Sequence, residues 1–120
     1  MATKIIITVG DTVIPATLND TVAAKDFLTR LPFHVDGFRA EVDYCCTATS
    51  GKYEPKETQD GWKNGDISLA GGWFSVLFDG EESSSSYKDM MIIGHVDQKD
   101  LYLVKQLPNQ VHFVVEKDKN

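Results

Sequence analysis

The chain has 120 residues, of which 42% are hydrophobic and 25% are charged, as is ordinary for a soluble globular protein. Twelve basic against 18 acidic side chains give a net charge of −6 without any Lys or Arg cluster, which excludes binding to a nucleic-acid backbone. No run approaches the roughly 20 apolar residues of a membrane span, so we expect a single domain over residues 1–120 that does not cross a membrane.

The start of the chain and its cysteines indicate a compartment. Met-Ala-Thr-Lys leads directly into a strand-like run, without the basic start and cleavage site of a secretory signal, which predicts a cytoplasmic protein. A secreted mature domain is the alternative. Cys45 and Cys46 are adjacent, and adjacent side chains of a strand point to opposite faces. We therefore expect reduced thiols rather than a disulfide.

The first part of the chain predicts a hairpin and a helix. Residues 4–9 and 12–18 are rich in β-branched side chains, and the two-residue connection Gly10-Asp11 predicts a tight antiparallel hairpin. Asn19-Asp20-Thr21 offers capping oxygens to a short amphipathic helix, which Pro32 ends. The narrow apolar stripe of this helix suits a helix that plugs the end of a barrel.

The middle of the chain predicts extended structure followed by a loop. Residues 33–49 are mostly extended, with a break expected at Asp36-Gly37. Residues 50–64 are polar and predict a long surface loop.

Residues 65–78 form a corner between two short strands. Asn64-Gly65 and Gly71-Gly72 are turn signals that precede strands over residues 66–69 and 73–78. The second of these strands is apolar on both faces, which is typical of a strand buried in the middle of a structure.

The last part of the chain predicts a polar segment, two strands and a helix. Residues 79–87 contain acidic residues and four serines, and we expect a mobile segment with no core-forming residue that could close over a groove. Strands are predicted over residues 90–96 and 111–115, with a short helix over residues 97–106 between them. The charged tail, residues 116–120, should fray. The total of seven or eight strands with two short helices favours a closed, mostly antiparallel β-barrel.

The sequence contains no recognisable catalytic or metal-binding motif. His34, His95 and His112 lack acidic or sulfur partners at metal-ligand spacing, and no nucleophile elbow surrounds the serines. We therefore predict no metal, no cofactor and no catalytic residue.

The candidate ligand-binding residues are those best able to line an apolar groove. Core packing is the competing explanation for each aromatic residue among them. The candidates are Trp73, Phe78, Trp62, Tyr44 and Arg39.

Three parts of the chain together resemble the bacterial cyclophilin-like fold proteins, which are small barrels related in shape to the cyclophilins. They are the hairpin over residues 5–18, the Leu18-Asn19-Asp20-Thr21 start of an Ala-Ala helix that ends at Leu31-Pro32, and Gly65-Asp66-Ile67 with Trp73. The resemblance covers residues 4–116 and implies a closed barrel. One departure is Ala70-Gly71-Gly72-Trp73, which stands where that family commonly has a Tyr-x-Pro-Trp-Gly corner.

The resemblance implies the barrel without the activity of true cyclophilins, which are prolyl isomerases. Their Phe-His-Arg signature is missing, because Val35 follows Phe33-His34. We expect a non-catalytic binding module for a small molecule or an extended peptide, with a groove near Trp73, Phe78 and residues 50–64. The alternative is an atypical peptidyl-prolyl isomerase that uses Arg39 as a hydrogen-bond donor. The oligomeric state is left open.

Overall fold

The computed structural model describes residues 2–119 and consists of eight strands, two helices and three 3-10 turns. No helix in this part of the chain is long and apolar enough to cross a membrane. The strands are β1 (Thr3–Val9), β2 (Thr12–Leu18), β3 (Phe33–Arg39), β4 (Asp43–Thr47), β5 (Asp66–Ala70), β6 (Trp73–Leu77), β7 (Ile92–Val96) and β8 (Gln110–Lys117). The helices are α1 (Val22–Leu28) and α2 (Leu101–Lys105), and the 3-10 turns are Pro55–Glu57, Glu81–Ser86 and Gln98–Asp100.

The strands form a closed barrel in the order β1-β2-β7-β5-β6-β4-β3-β8, with every neighbouring pair antiparallel. Closure comes from β1 and β8, which pair between Ile5↔Lys117 and Thr8↔Val114. The predicted fold class, a largely antiparallel barrel of about eight strands with two short helices, is confirmed. Because strand directions alternate, the connections divide between the two ends of the barrel, with α1 at one end and α2 at the other.

Two glycine turns build the tight hairpins. The β1–β2 hairpin turns at Gly10, where φ is +57°, and Val9 pairs with Thr12 across the turn. The β5–β6 hairpin turns at Gly71 and Gly72, where φ is +62° and +85°. Two consecutive positive φ values match the right-handed twist of the strands, and glycine adopts them without steric cost.

Helix α1 has the predicted start but ends earlier than predicted. The Thr21 side chain accepts a hydrogen bond from the Ala24 amide at 3.1 Å and so caps the helix. The helix ends at Leu28 rather than at Pro32, because the Thr29 amide and hydroxyl both bond to the Asp26 carbonyl and tighten the last turn. Its inward face, Ala23, Ala24 and Phe27, is buried in the main core.

The predicted break at Asp36-Gly37 is wrong, because β3 runs without interruption to Arg39 and the chain turns at residues 40–42 instead. Gly37 serves close packing between strands. A Cβ atom at this position would collide with the Cys46 Sγ and lie 2.8 Å from the Cys45 carbonyl oxygen. The glycine therefore lets β4 pass close to β3, which is a recognised use of glycine inside a strand.

Aromatic side chains fill the barrel from one end to the other. Each ring lies within 6.3 Å of the next between centroids. The column contains Phe27, Phe33, Phe74, Phe113, Tyr44 and Phe78. An arginine covers each end, since the Arg30 guanidinium lies 5.1 Å from the Phe33 ring centroid and that of Arg39 lies 4.5 Å from the Phe78 centroid.

Two long connections, residues 48–65 and 78–91, cover the outer face of β5, β6 and β7. They bond to each other through Gln59 and Met90, whose amides each donate to the other's carbonyl. Beneath them, a second and smaller apolar cluster forms from Trp62, Leu77 and Ile92. The barrel thus has a main core inside and a satellite core outside.

Residues 79–87 contribute no side chain to either apolar cluster, yet one of the serines is buried. The serines form the 3-10 turn Glu81–Ser86, and Ser84 is only 3% exposed. Its hydroxyl oxygen accepts a hydrogen bond from the Trp62 amide at 2.9 Å and lies 3.1 Å from the Trp62 carbonyl oxygen. One serine therefore attaches this connection to the other, an attachment that composition alone does not reveal.

Replacing Gly37 with alanine should destabilise the barrel by about 1–3 kcal/mol, because the added methyl group must displace β4. Urea unfolding of Gly37→Ala measures the free energy of unfolding. Gly72→Asn is the control, since nothing lies within 4 Å of a Cβ there and asparagine tolerates a positive φ. Equal stability of Gly37→Ala and the unsubstituted chain would contradict the packing role of Gly37.

Replacing Ser84 with alanine should lower the free energy of unfolding by about 1–3 kcal/mol, because it leaves the buried Trp62 amide without its acceptor. Ser85→Ala is the matched control, because it makes the same chemical change at the next position in the chain. Ser85 is exposed, so this change should alter the free energy of unfolding by less than about 0.5 kcal/mol. Hydrogen exchange should be faster at the Trp62 amide in Ser84→Ala alone. Unprotected exchange throughout residues 79–87 of the unsubstituted chain would instead restore the mobile-segment hypothesis.

Candidate functional site

The candidate site is a groove on the outer face of the barrel. It consists of a cleft of about 630 Å³ and a neighbouring one of about 290 Å³, which share Ala70, Met90 and Met91. The larger cleft is lined by Ser50, Tyr53, Pro55, Thr58, Ala70, Gly71, Lys88, Asp89, Met90 and Met91. The smaller one is lined by Asp43, Cys45, Ser68, Ala70, Trp73, Ser75, Met90 and Met91. We call the two together the outer groove.

The outer groove exists because the chain leaves the barrel before β7 begins. The Leu69 amide still donates to the Met91 carbonyl at 3.0 Å, but Met90 turns away and bonds to Gln59. A register shift between Ile67 and Ser68 marks the same place on β5. The outer side of Ala70 is consequently left uncovered, and the groove opens there.

The floor of the outer groove is a row of small polar side chains. Cys45, Ser75 and Ser68 lie side by side on β4, β6 and β5, since Ser75 pairs with both of the others. They occupy the outward positions of their strands, while the neighbouring residue Cys46 faces the core. Such a floor can donate and accept hydrogen bonds beneath a ligand.

The thiols of this region are poor nucleophiles. Burial and a hydrogen bond to the Asp43 carboxylate raise the pKa of Cys45 to about 12, and the Sγ lies 3.3 Å from both carboxylate oxygens. Burial likewise raises the pKa of Cys46 to about 12. Both thiols therefore stay protonated at neutral pH, and nothing in this row suggests covalent catalysis.

The walls of the outer groove are apolar and aromatic. Trp73, at the start of β6, is 46% exposed, and Tyr53, on the β4–β5 connection, is 53% exposed. Met90 and Met91 line both clefts; Met90 is partly exposed and supplies flexible apolar surface, whereas Met91 is 1% exposed and belongs to the main core. Large exposed aromatic rings beside a polar floor are typical of a site that binds a partly apolar ligand.

Arg39, Tyr44 and Phe78 come together, but inside the barrel rather than in the outer groove. Tyr44 is fully buried, and its hydroxyl lies 2.8 Å from the Leu107 carbonyl oxygen. Arg39 donates from Nη1 to the Tyr44 hydroxyl at 3.2 Å and to the Lys105 carbonyl at 2.9 Å. These contacts connect one end of the barrel to the α2 segment. Packing and hydrogen bonding within the fold therefore explain the presence of all three residues.

Trp62 is also separated from the outer groove. It is 6% exposed, its Nε1 donates to the Asp79 carbonyl at 2.8 Å, and its ring lies 5.1 Å from that of Tyr87. Its ring edge borders a different cleft of about 300 Å³ with Glu41 and Gly80. Of the five sequence candidates, the structure places only Trp73 in the outer groove.

Sequence reasoning missed most of the groove-lining residues. Ser68 and Ser75 offered a signal, since each is a small polar residue between apolar neighbours in its strand. In the structure both are buried. Tyr53, Met90 and Met91 offered none, because only the folded connections bring them together. Within residues 2–119, no three His, Cys, Asp or Glu side chains are arranged to hold a metal ion together.

Comparisons with known proteins agree with this architecture. The family model described as cyclophilin-like family matches residues 7–116. The structure of the hypothetical protein AF2241 from Archaeoglobus fulgidus has a TM-score of 0.69 at 15% identity, covering 97% of this chain and 95% of that one. The structure of McbB in complex with tryptophan has a TM-score of 0.69 at 14% identity, covering 97% of this chain and 45% of that one. Such low identities show the fold alone, and curated protein sequences give no match.

Replacing Tyr44 with phenylalanine should lower the free energy of unfolding by about 1–3 kcal/mol, because it leaves Arg39 and the buried Leu107 carbonyl without the hydroxyl. Thermal and urea unfolding measure the loss. Tyr102→Phe is the matched control: that ring is 56% exposed, and the change should cost less than about 0.5 kcal/mol. If Tyr44→Phe were as stable as the control, Tyr44 and Arg39 would again be free candidates for a ligand site.

Proposed function

The chain belongs to the cyclophilin-like family, and we propose that it is a non-catalytic binding module whose outer groove holds a small organic molecule or an extended peptide. The observation that carries the proposal is the groove itself. Its two adjoining clefts present exposed Tyr53 in the larger one and exposed Trp73 beside the polar floor in the smaller one, with Met90 lining both. Its larger cleft of about 630 Å³ lies within the range of small-molecule sites, about 300–1,000 Å³.

Closure of the barrel restricts how a peptide could bind. Every strand already pairs with two neighbours, so the barrel offers no free edge to which a peptide could add as another strand. A peptide would instead be held by side chains, with its apolar groups against Trp73 and Met90 and its polar groups toward the serine floor. This arrangement favours a ligand with one planar apolar group and a few hydrogen-bonding atoms.

The charges around the outer groove favour a neutral or cationic ligand. Asp43 and Asp89 line it, and its one lysine, Lys88, already contacts the Asp60 carboxylate at 3.1 Å. The whole chain carries a net charge of −6, which adds a weak repulsion for anions. A phosphate-rich ligand would find no cationic side chain without an acidic partner among the described residues that line the groove.

The McbB structure is consistent with this proposal. It is a protein of the same fold that was solved in complex with tryptophan, a small zwitterion with one large planar group. We therefore take free tryptophan as the first probe for this chain. The choice of probe rests on the shape and lining of the outer groove and not on sequence similarity to McbB, which is only 14% identical.

The contacts of Arg39 favour binding over the isomerase alternative. Arg39 is engaged with Tyr44 and Lys105 and lies over the Phe78 ring, on the core side of the barrel wall. None of the residues lining the outer groove is an arginine. We accordingly propose binding without turnover of the X-Pro bond.

Titration of the ¹⁵N-labelled chain with L-tryptophan, and separately with a capped, uncharged tripeptide that has a central Trp, tests the proposal. At least one probe should shift the amide signals of Ala70, Trp73 and Met91. Trp73→Ala should raise the Kd about tenfold, equivalent to about 1.4 kcal/mol, because it removes the largest exposed ring of the site.

Tyr102→Ala is the matched control, because it removes another exposed ring outside the outer groove and should leave the Kd unchanged. Intrinsic fluorescence gives a second readout. In a Trp62→Phe variant the protein's tryptophan emission comes from Trp73 alone, and it should change on addition of the same capped tripeptide with Phe in place of Trp, which adds no tryptophan emission of its own. Signals that do not move with either probe, or that move only around Tyr102, would overturn the proposal.

A further inference from the structure

A chain of three polar side chains lies on the outer face of β3 and β8, away from the outer groove. Asp36 pairs directly with His112 across the two strands, and His34 lies two positions away along β3. All three are exposed, whereas Val35, Phe113 and Val111 beside them face the core. His34 and His112 are 78 residues apart in sequence, which is why their spacing carried no signal.

The three side chains contact one another in line. His112 Nδ1 lies 2.7 Å from an Asp36 carboxylate oxygen, and His112 Nε2 lies 3.2 Å from His34 Nδ1. An ionised carboxylate only accepts hydrogen bonds, so the hydrogen between Asp36 and His112 belongs to Nδ1. In the neutral ring the lone pair is then on Nε2, and Asp36 directs it toward His34.

We propose that His34 Nδ1 and His112 Nε2 chelate one divalent transition-metal ion of the Zn²⁺, Ni²⁺ or Cu²⁺ type, with water completing the coordination. Two nitrogens bound tetrahedrally to one Zn²⁺ at about 2.0–2.1 Å lie about 3.3–3.4 Å apart. The 3.2 Å separation of these two nitrogens already approaches that value. The two rings now face each other almost head-on, since their centroids lie 5.4 Å apart. Binding therefore needs a change of tautomer at His34 and a tilt of each exposed ring by roughly 40°, so that both lone pairs converge on the ion.

The surroundings select the class of metal. Imidazole nitrogens suit Zn²⁺, Ni²⁺ and Cu²⁺, whereas Mg²⁺ and Ca²⁺ prefer oxygen ligands. Asp36 is the positioning residue, because a carboxylate on the far nitrogen of a metal-binding histidine fixes its tautomer and raises its basicity. The two thiols compete poorly, since their pKa values of about 12 leave them protonated at neutral pH.

The proposal is tested by isothermal titration of the untagged full chain with Zn²⁺ and with Mg²⁺. We expect one Zn²⁺ per chain, no Mg²⁺ binding, and weaker Zn²⁺ binding at acidic pH, where protons compete for the imidazoles. In NMR spectra, the ring signals of His34 and His112 should shift with Zn²⁺ while those of His95 stay in place. Binding should disappear in both His34→Gln and His112→Gln.

His95→Gln is the matched control, because His95 lies on β7 and pairs with Thr17 and Asp66, on the opposite side of the barrel. It should bind Zn²⁺ like the unsubstituted chain. Asp36→Ala should weaken binding about tenfold. Asp36→Asn, whose side-chain oxygen can still accept from His112 Nδ1, should restore part of that loss, which a merely structural role would not predict.

Several results would overturn the chelate. Zn²⁺ binding that persists in His34→Gln, or that disappears in His95→Gln, would place the site elsewhere. One ion per two chains with formation of a dimer would mean that the histidines bridge molecules instead. Circular dichroism of each variant identifies loss of fold, so that loss of binding in a folded variant is attributed to the ligand itself.

Discussion

Pairing of β1 with β8 closes the sheet, and the position of every other feature depends on that pairing. Residues 5–8 of β1 pair with β8, so the first and last strands of the chain are neighbours in the barrel. Closure removes every free strand edge and encloses the column of aromatic rings. The interior is filled by side chains, so any ligand site would lie on the outer face or at the ends of the barrel.

The outer groove depends on the two long connections. They bond to each other through Gln59, Met90, Trp62 and Ser84, and the small apolar cluster beneath them holds them against the barrel. Because Met90 leaves the sheet to make that contact, the neighbouring surface of Ala70 stays open. Stability of the connections and openness of the outer groove therefore have the same physical origin.

Local signals in the sequence were sufficient for most of the fold and for little of the site. The β1–β2 hairpin, the Thr21 cap and the Gly71-Gly72 turn follow from residue types within a few positions, and all are present. The predicted break at Asp36-Gly37 was wrong, because glycine often marks a turn, whereas here its missing side chain leaves room for the neighbouring strand β4. Arg39 and Tyr44 lie in and over the aromatic column rather than in the outer groove, since aromatic and cationic side chains suit a core column as well as a binding groove.

The sequence by itself determined the β-rich architecture, the helix start and the turns, since alternation, caps and positive-φ glycines act over a few residues. Only the tertiary structure decided which aromatic residues face outward and which distant side chains meet. Trp73 lies in the outer groove while Phe78, five positions later, lies in the core. His34 and His112 meet across β3 and β8 for the same reason: register between strands far apart in the chain is set by closure of the barrel, and no local pattern encodes it.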